Sequence, residues 1–139
     1  MSLARTCVFF TQLILSEATR AGVPPQLALA IAHNESHCNP TAVSDSGALG
    51  LFQVLPLWRY EQRGKVARLC GGTNLFDPRT NACYGLSILS YYHRLCRQSW
   101  PCALRRYSGN APNYYANVRR QMQQQPSLMR LPAWSLFSS

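Results

Sequence analysis

Acidic side chains are scarce in this sequence. Its 139 residues include five Asp and Glu against 14 Lys and Arg, which gives a formal net charge of +9. That excess predicts an anionic partner, which could be nucleic acid, an acidic membrane face or an acidic wall polymer. No apolar run approaches the ~20 residues that cross a bilayer, so we expect no membrane span. No nucleic-acid-binding motif accompanies the basic charge, so nucleic acid is not the expected partner.

The composition excludes a disordered protein. Hydrophobic residues make up 47% of the chain and aromatic residues 11%, which is enough apolar surface to bury a core. The length has room for one domain. We expect residues 1–122 to form that domain and residues 123–139 to form a C-terminal tail, because a Gln-rich stretch before Pro126 ends the helical pattern.

A metal-binding cysteine pattern is also missing. The sequence has no Cys-x-x-Cys pair, and its three His residues do not pair with the cysteines at zinc-like spacing. An even number of cysteines in a small chain instead favours disulfides and an oxidising compartment. We therefore expect a periplasmic or secreted protein, and since no leader is visible, the leader has been removed or export uses another route. The six cysteines are Cys7, Cys38, Cys70, Cys83, Cys96 and Cys102.

The sequence leaves most of the cysteine pairing open. We expect Cys96 to bond to Cys102, because Pro101 breaks the helix between them and the short intervening segment turns the chain into the next helix. Among Cys38, Cys70 and Cys83 we expect one pair that ties the end of the second helix to the loops that follow it.

The apolar residues predict a mostly α-helical fold. They recur every three to four positions in several segments, and no segment alternates as a strand would. For residues 58–69 the pattern leaves two interpretations, a short helix or an irregular basic strip. The predicted helices cover residues 5–21, 25–36, 80–98, 102–107 and 114–122.

Glu35 is the first candidate for a functional side chain. It follows Leu27 by eight residues and Ile31 by four, so helical geometry places it on the same stripe as these core positions. Burial and the negative end of the helix dipole both disfavour the ionised carboxylate, which raises the pKa, as a general acid requires. The alternative is a partly exposed last-turn residue paired with an Arg.

Three segments give the chain a family resemblance. Residues 35–40 read ESHCNP and are followed by AVS at 42–44 and GALGLFQVLP at 47–56. Residues 74–78 read NLFDP and residues 103–110 read ALRRYSGN. In this order the segments resemble the signature of the soluble-type lytic transglycosylase (SLT) domains, which are similar to goose-type lysozyme. The shortened third segment resembles the specialised members that accompany secretion or conjugation machines, which makes such an apparatus a further candidate partner.

The resemblance implies a lysozyme-like single α-helical domain with a substrate groove, stabilised by disulfides. It implies that Glu35 is the lone catalytic acid and base, that Ser44 and Gln53 bind the sugar bearing the N-acetyl group, and that Tyr107 is a substrate-site residue that orients Glu35. Each of the last three has an ordinary alternative: a turn-closing serine, a polar loop residue and a core tyrosine. No metal or cofactor is implied.

The implied substrate is the glycan strand of peptidoglycan. Glu35 would protonate the β-1,4 bond between N-acetylmuramic acid and N-acetylglucosamine and leave a 1,6-anhydro end. The alternatives are a lysozyme-type hydrolase, for which Asp45 is the candidate second carboxylate, and a non-catalytic wall-binding module of a secretion system.

Overall fold

The computed structural model describes residues 7–124, and these form a helical domain. The predicted start of the first helix at Arg5 and the predicted tail beyond residue 124 lie outside the described residues. In the described part, two isolated antiparallel bridges, Val43 with Leu49 and Leu49 with Val54, are the only β pairing. Its α-helices are α1 (Thr11–Ala21), α2 (Pro25–Ser36), α3 (Val66–Cys70), α4 (Pro78–Leu95), α5 (Trp100–Tyr107) and α6 (Tyr114–Gln123).

The first two helices end and begin where glycine and proline predict. Gly22 adopts a φ of +73° after α1, and its backbone N–H donates to the carbonyls of Ala18 and Thr19. Pro25 occupies the first position of α2, where its missing N–H costs no helical hydrogen bond. A short 3₁₀ turn, Val8–Phe10, precedes α1.

The segment that sequence left open, residues 58–69, is mostly short helical turns. Two 3₁₀ turns, Pro56–Arg59 and Arg63–Lys65, lead into the five-residue helix α3. Gly64 lies inside the second turn with a φ of +70°, outside the helical region, so this turn is not a regular helix.

The predicted bounds of α4 are wrong at both ends. The helix begins at Pro78 rather than Thr80, because the Asp77 carboxylate accepts the backbone N–H of Thr80 at 2.9 Å and acts as N-cap. It ends at Leu95 rather than Gln98, since Arg97 and Gln98 have φ values of 54° and 67°. The next helix, α5, starts two residues earlier than predicted, because Ser99 caps it by accepting the N–H of Cys102.

Helix α2 is buried along most of its length. It contacts α1 on one side and α6 on another, while α4 packs against both α1 and α5. Its side chains are buried on nearly every face, including Leu27, Ala28, Ile31 and Ala32, each with no exposed surface. The packing on both sides holds the last turn of α2 in place, and Glu35 lies in that turn. None of the helices between residues 7 and 124 is both long and apolar enough to cross a membrane.

Three disulfides use all six cysteines. The predicted bond between Cys96 and Cys102 is confirmed and joins the end of α4 to the start of α5. A second bond joins Cys70 to Cys83. The expectation that one of these pairs would tie the end of α2 to later loops is wrong, because Cys38 bonds to Cys7, which precedes α1. The pairing brings together residues 31 apart, a proximity that only the packing of α1 on α2 creates.

Candidate active site

A groove of about 440 Å³ opens beside the C-terminal end of α2. Helices α2, α4, α5 and α6 and the loop after α2 all contribute to its walls. The aromatic side chains Trp58 and Tyr92 lie in the wall and provide flat apolar surfaces of the kind that sugar rings contact. The lining residues are Glu35, Ser44, Ser46, Ala48, Gln53, Val54, Leu55, Trp58, Ile88, Tyr92, Arg106, Tyr107, Ser108, Gly109, Ala111 and Tyr114.

Glu35 reaches the groove from the last turn of α2. Burial raises the pKa of its carboxyl from the ordinary 4.5 to about 7, while a hydrogen bond from the Tyr114 hydroxyl partly opposes this rise. The carboxyl is therefore protonated in a substantial fraction of molecules near neutral pH. The alternative of an Arg partner does not hold in the described residues, because no salt bridge there includes Glu35.

The tyrosine that hydrogen-bonds to Glu35 is Tyr114, not Tyr107. The Tyr114 hydroxyl donates to Glu35 Oε2 at 2.5 Å, whereas the Tyr107 hydroxyl donates to the backbone carbonyl of Phe52 at 2.7 Å. Within the described residues no hydrogen bond joins Tyr107 to Glu35, although Tyr107 does line the groove, and burial and the nearby Glu35 charge raise the pKa of its hydroxyl. Sequence reasoning missed Tyr114 because it begins α6, far along the chain, and reaches Glu35 only through the packing of α6 on α2.

Ser44 and Gln53 both line the groove and both are held by the loop itself. The Ser44 hydroxyl accepts the backbone N–H of Ala48 at 3.0 Å, so the turn-closing interpretation of Ser44 is correct in geometry and compatible with a site at the groove. The Gln53 side-chain N–H₂ donates to the carbonyls of Ala42 and Gly50. This leaves the Gln53 amide oxygen as the group able to accept a hydrogen bond from a ligand.

Asn81 holds the loop that carries Gln53. Its side chain is fully buried in α4 and accepts the N–H of Phe52 at 2.7 Å, while its N–H₂ donates to the carbonyls of Leu49 and Leu75 at 2.8 and 2.7 Å. Gly50 lies against this amide, where an added Cβ would come within 2.4 Å of Asn81 Nδ2. Gly50 also has a φ of +75°, so both the backbone conformation and the close approach favour glycine at this position.

The second candidate carboxylate lies outside the groove. Asp45 is exposed and is not among the residues that line the cavity, although its neighbours Ser44 and Ser46 are. Within the described residues, Glu35 is consequently the one acidic side chain in the groove wall. No three His, Cys, Asp or Glu side chains between residues 7 and 124 lie close enough together to hold a metal ion.

A helical domain with a groove and one half-buried acid at a helix end is a lysozyme-like arrangement. The profile of the family described as "Transglycosylase SLT domain" matches residues 12–129, which is most of the chain. The chain belongs to this family.

Curated relatives carry names consistent with the family. The chain is 39% identical over 84 residues to "Membrane-bound lytic murein transglycosylase C" of Yersinia pestis (strain Pestoides F), and equally to the protein of that name from Yersinia pseudotuberculosis serotype O:1b (strain IP 31758). Each match covers 58% of this chain and 24% of the relative. The matched region thus spans about a quarter of the relatives' length.

Solved structures show the same fold. A complex of the 70-kDa soluble lytic transglycosylase with bulgecin A superposes with a TM-score of 0.67 at 24% identity, covering 91% of this chain and 21% of that one. The 70-kDa soluble lytic transglycosylase from Escherichia coli gives a TM-score of 0.64 at 24% identity, covering 86% of this chain and 20% of that one. The predicted mostly α, lysozyme-like, disulfide-stabilised fold is confirmed.

Replacing Tyr114 should change the pH dependence of activity. If protonated Glu35 starts the reaction, kcat/KM falls as pH rises through the pKa of Glu35, about 7. Tyr114→Phe removes the hydrogen bond that lowers this pKa, so the alkaline limb of the profile should move to higher pH. We expect kcat to fall roughly tenfold, since a hydrogen bond to a charged group is lost.

Tyr107→Phe is the matched control for this measurement. It removes a hydroxyl from the same groove, but that hydroxyl bonds to Phe52 rather than to Glu35. Its alkaline limb should therefore coincide with that of the wild type. Equal displacement of the limb in both variants, or none in Tyr114→Phe, would contradict the role assigned to Tyr114.

Proposed function

We propose that this chain is a peptidoglycan lytic transglycosylase domain. It cleaves the β-1,4 bond between N-acetylmuramic acid and N-acetylglucosamine and leaves a 1,6-anhydro-N-acetylmuramic acid end, for local remodelling of the wall. Membership of the SLT domain family and the names of the curated relatives support the reaction class. The groove with its single acid supports the particular chemistry.

Glu35 performs two proton transfers in the proposed reaction. Its protonated carboxyl first donates to the glycosidic oxygen, and the bond from that oxygen to C1 of the muramic sugar breaks. The acetamido group of the same sugar stabilises the positive charge that develops at C1. The Glu35 carboxylate then takes the proton of the 6-hydroxyl, whose oxygen bonds to C1. The carboxyl is restored, and no water is consumed.

The observation that carries this proposal is that no second carboxylate lies beside Glu35 in the described groove wall. Hydrolysis by the usual glycosidase route uses two carboxylates that flank the bond. Among the described residues that line the groove, Glu35 is the one carboxylate, and Asp45 is exposed outside the cavity. A pKa of about 7 suits a group that gives a proton and then takes one at neutral pH.

We also propose that Ser44, Gln53 and Tyr107 bind the sugar with its N-acetyl group. Their positions along the groove and the free amide oxygen of Gln53 support this. In this proposal the ring of Tyr107 contacts the sugar, while its hydroxyl holds the ring in place by donating a hydrogen bond to the Phe52 carbonyl.

The site of action that we propose is outside the cytoplasm, in the periplasm or beyond it. Three disulfides support an oxidising compartment. The net charge of +9 supports association with the acidic peptides of the wall. A secretion or conjugation apparatus as partner stays a prediction from the shortened third segment of the sequence.

The products released from purified peptidoglycan test the reaction. We expect muropeptides with anhydro ends, each lighter by one water than the product of hydrolysis, when the digest is analysed by mass spectrometry. Products with reducing muramic acid ends would establish a hydrolase instead. Binding to the peptidoglycan without any released product would establish a wall-binding module.

A further inference from the structure

The groove has a positive side chain that the proposed reaction does not use. Arg106 lies in the last turn of α5 and, with Glu35, is one of two charged residues in the described groove wall. It is exposed, and in the part of the chain that the structure describes its guanidinium has no hydrogen-bond or ion-pair partner. Other arginines do pair with acids: Arg20 and Arg79 with Glu17.

Arg106 does not serve Glu35. The two side chains form no salt bridge, and the pKa of Glu35 is set by burial and by the Tyr114 hydroxyl. An arginine in contact with this carboxyl would lower its pKa, against the needs of a general acid. The positive charge is therefore available to a ligand in the groove.

The backbone around Arg106 is well anchored. The Cys96–Cys102 disulfide and the Ser99 cap hold the start of α5, and the Arg106 carbonyl accepts the N–H of Gly109 at 3.1 Å. Beyond this turn, a second depression of about 300 Å³ also has Arg106 and Gly109 in its wall. Arg106 thus lies between the groove and this depression, and a substituent that extends from a bound sugar into the depression passes next to Arg106.

The two sugars of the proposed substrate differ in the group that an arginine recognises. N-acetylglucosamine has no carboxylate. N-acetylmuramic acid carries a lactyl group whose carboxyl is either free or linked to a stem peptide with carboxylates of its own. A guanidinium binds a carboxylate through two parallel hydrogen bonds and so distinguishes a charged substituent from a neutral one.

We propose that Arg106 is a substrate-binding residue that contacts a carboxylate carried by the lactyl substituent of N-acetylmuramic acid. This contact distinguishes the muramic sugar from its neighbour and sets the register of the glycan strand over Glu35. The proposal rests on the proposed function for its substrate. It names a specificity-determining side chain that the reaction itself does not require.

Binding by inactive protein tests the proposal without turnover. Glu35→Gln/Arg106→Gln is compared with Glu35→Gln/Arg68→Gln, because Arg68 is exposed on α3, lies outside the groove wall and carries the same charge. The probes are glycan strands with stem peptides, peptide-free strands, and peptide-free strands whose lactyl carboxylates have been converted to amides. Thermal unfolding of each variant checks that the fold is retained.

We expect Arg106→Gln to weaken binding roughly tenfold for strands that carry the recognised carboxylate, as for loss of a charge-assisted hydrogen bond. The amidated strands should bind both double variants equally. A loss on peptide-free strands identifies the lactyl carboxylate, and a loss on peptide-bearing strands alone identifies the stem peptide. An equal loss on all three probes, or a loss no larger than that of the Arg68 variant, would overturn the proposal. Failure of the proposed reaction would instead appear as missing anhydro products from the wild type.

Discussion

Glu35→Gln should reduce the rate of peptidoglycan cleavage by roughly 10²–10⁴ or more while leaving binding of glycan strands nearly unchanged. Glutamine keeps the shape of the side chain, and its amide oxygen can still accept the hydrogen bond from Tyr114. What it lacks is the titratable proton that both transfers use. Product release, followed by chromatography, and sedimentation with insoluble peptidoglycan measure the two properties separately.

Asp45→Asn is the matched control, because it removes a carboxyl group close to the groove in sequence but exposed outside the cavity. Its rate should stay within about an order of magnitude of the wild type, since Asp45 moves no proton in the proposed reaction. A large defect in Asp45→Asn together with reducing product ends would identify a hydrolase with two carboxylates. Retained activity in Glu35→Gln would exclude Glu35 as the acid in either reaction.

Asn81→Ala should cause a large loss of stability. The change leaves the N–H of Phe52 and the carbonyls of Leu49 and Leu75 without their side-chain partner inside the core. The Leu49 carbonyl keeps the backbone N–H of Val54 as a donor, so two of the three groups are left unsatisfied. Each unsatisfied buried group costs about 1–3 kcal/mol, so we expect the free energy of unfolding to fall by roughly 2 kcal/mol or more. The loop that carries Gln53 should loosen, and activity should fall with stability.

Asn117→Ala provides the comparison for Asn81→Ala. Asn117 lies on α6, half-buried, where its amide oxygen accepts one hydrogen bond from Arg120. Its loss should change the free energy of unfolding by about 0.5 kcal/mol or less. Thermal or denaturant unfolding of both variants, with the disulfides intact, measures the difference. Similar destabilisation in the two variants would show that the Asn81 network does not hold the loop.

The sequence predicted a helix boundary well where the backbone properties of one residue at that boundary determine it. Gly22 and Pro25 act on their own segments, so the end of α1 and the start of α2 agree with the sequence. The end of α4 does not, because the turn at Arg97 and Gln98 adopts positive φ beside the Cys96–Cys102 bond. Neither residue type signals such a conformation by itself.

The sequence by itself determined the helical class, the preference for disulfides and the acid at the end of α2. These follow from periodicity, cysteine count and the position of Glu35 on an apolar stripe. All three can be established without knowing how the helices pack. Only the tertiary structure decided which tyrosine contacts Glu35, since Tyr114 reaches it across 79 residues. It alone brought Cys7 to Cys38, left Asp45 outside the groove and turned Arg106 into its wall. Each of these depends on how whole helices and loops pack against one another. The free energy of that packing comes from many side chains on different elements, so no single segment of sequence predicts it.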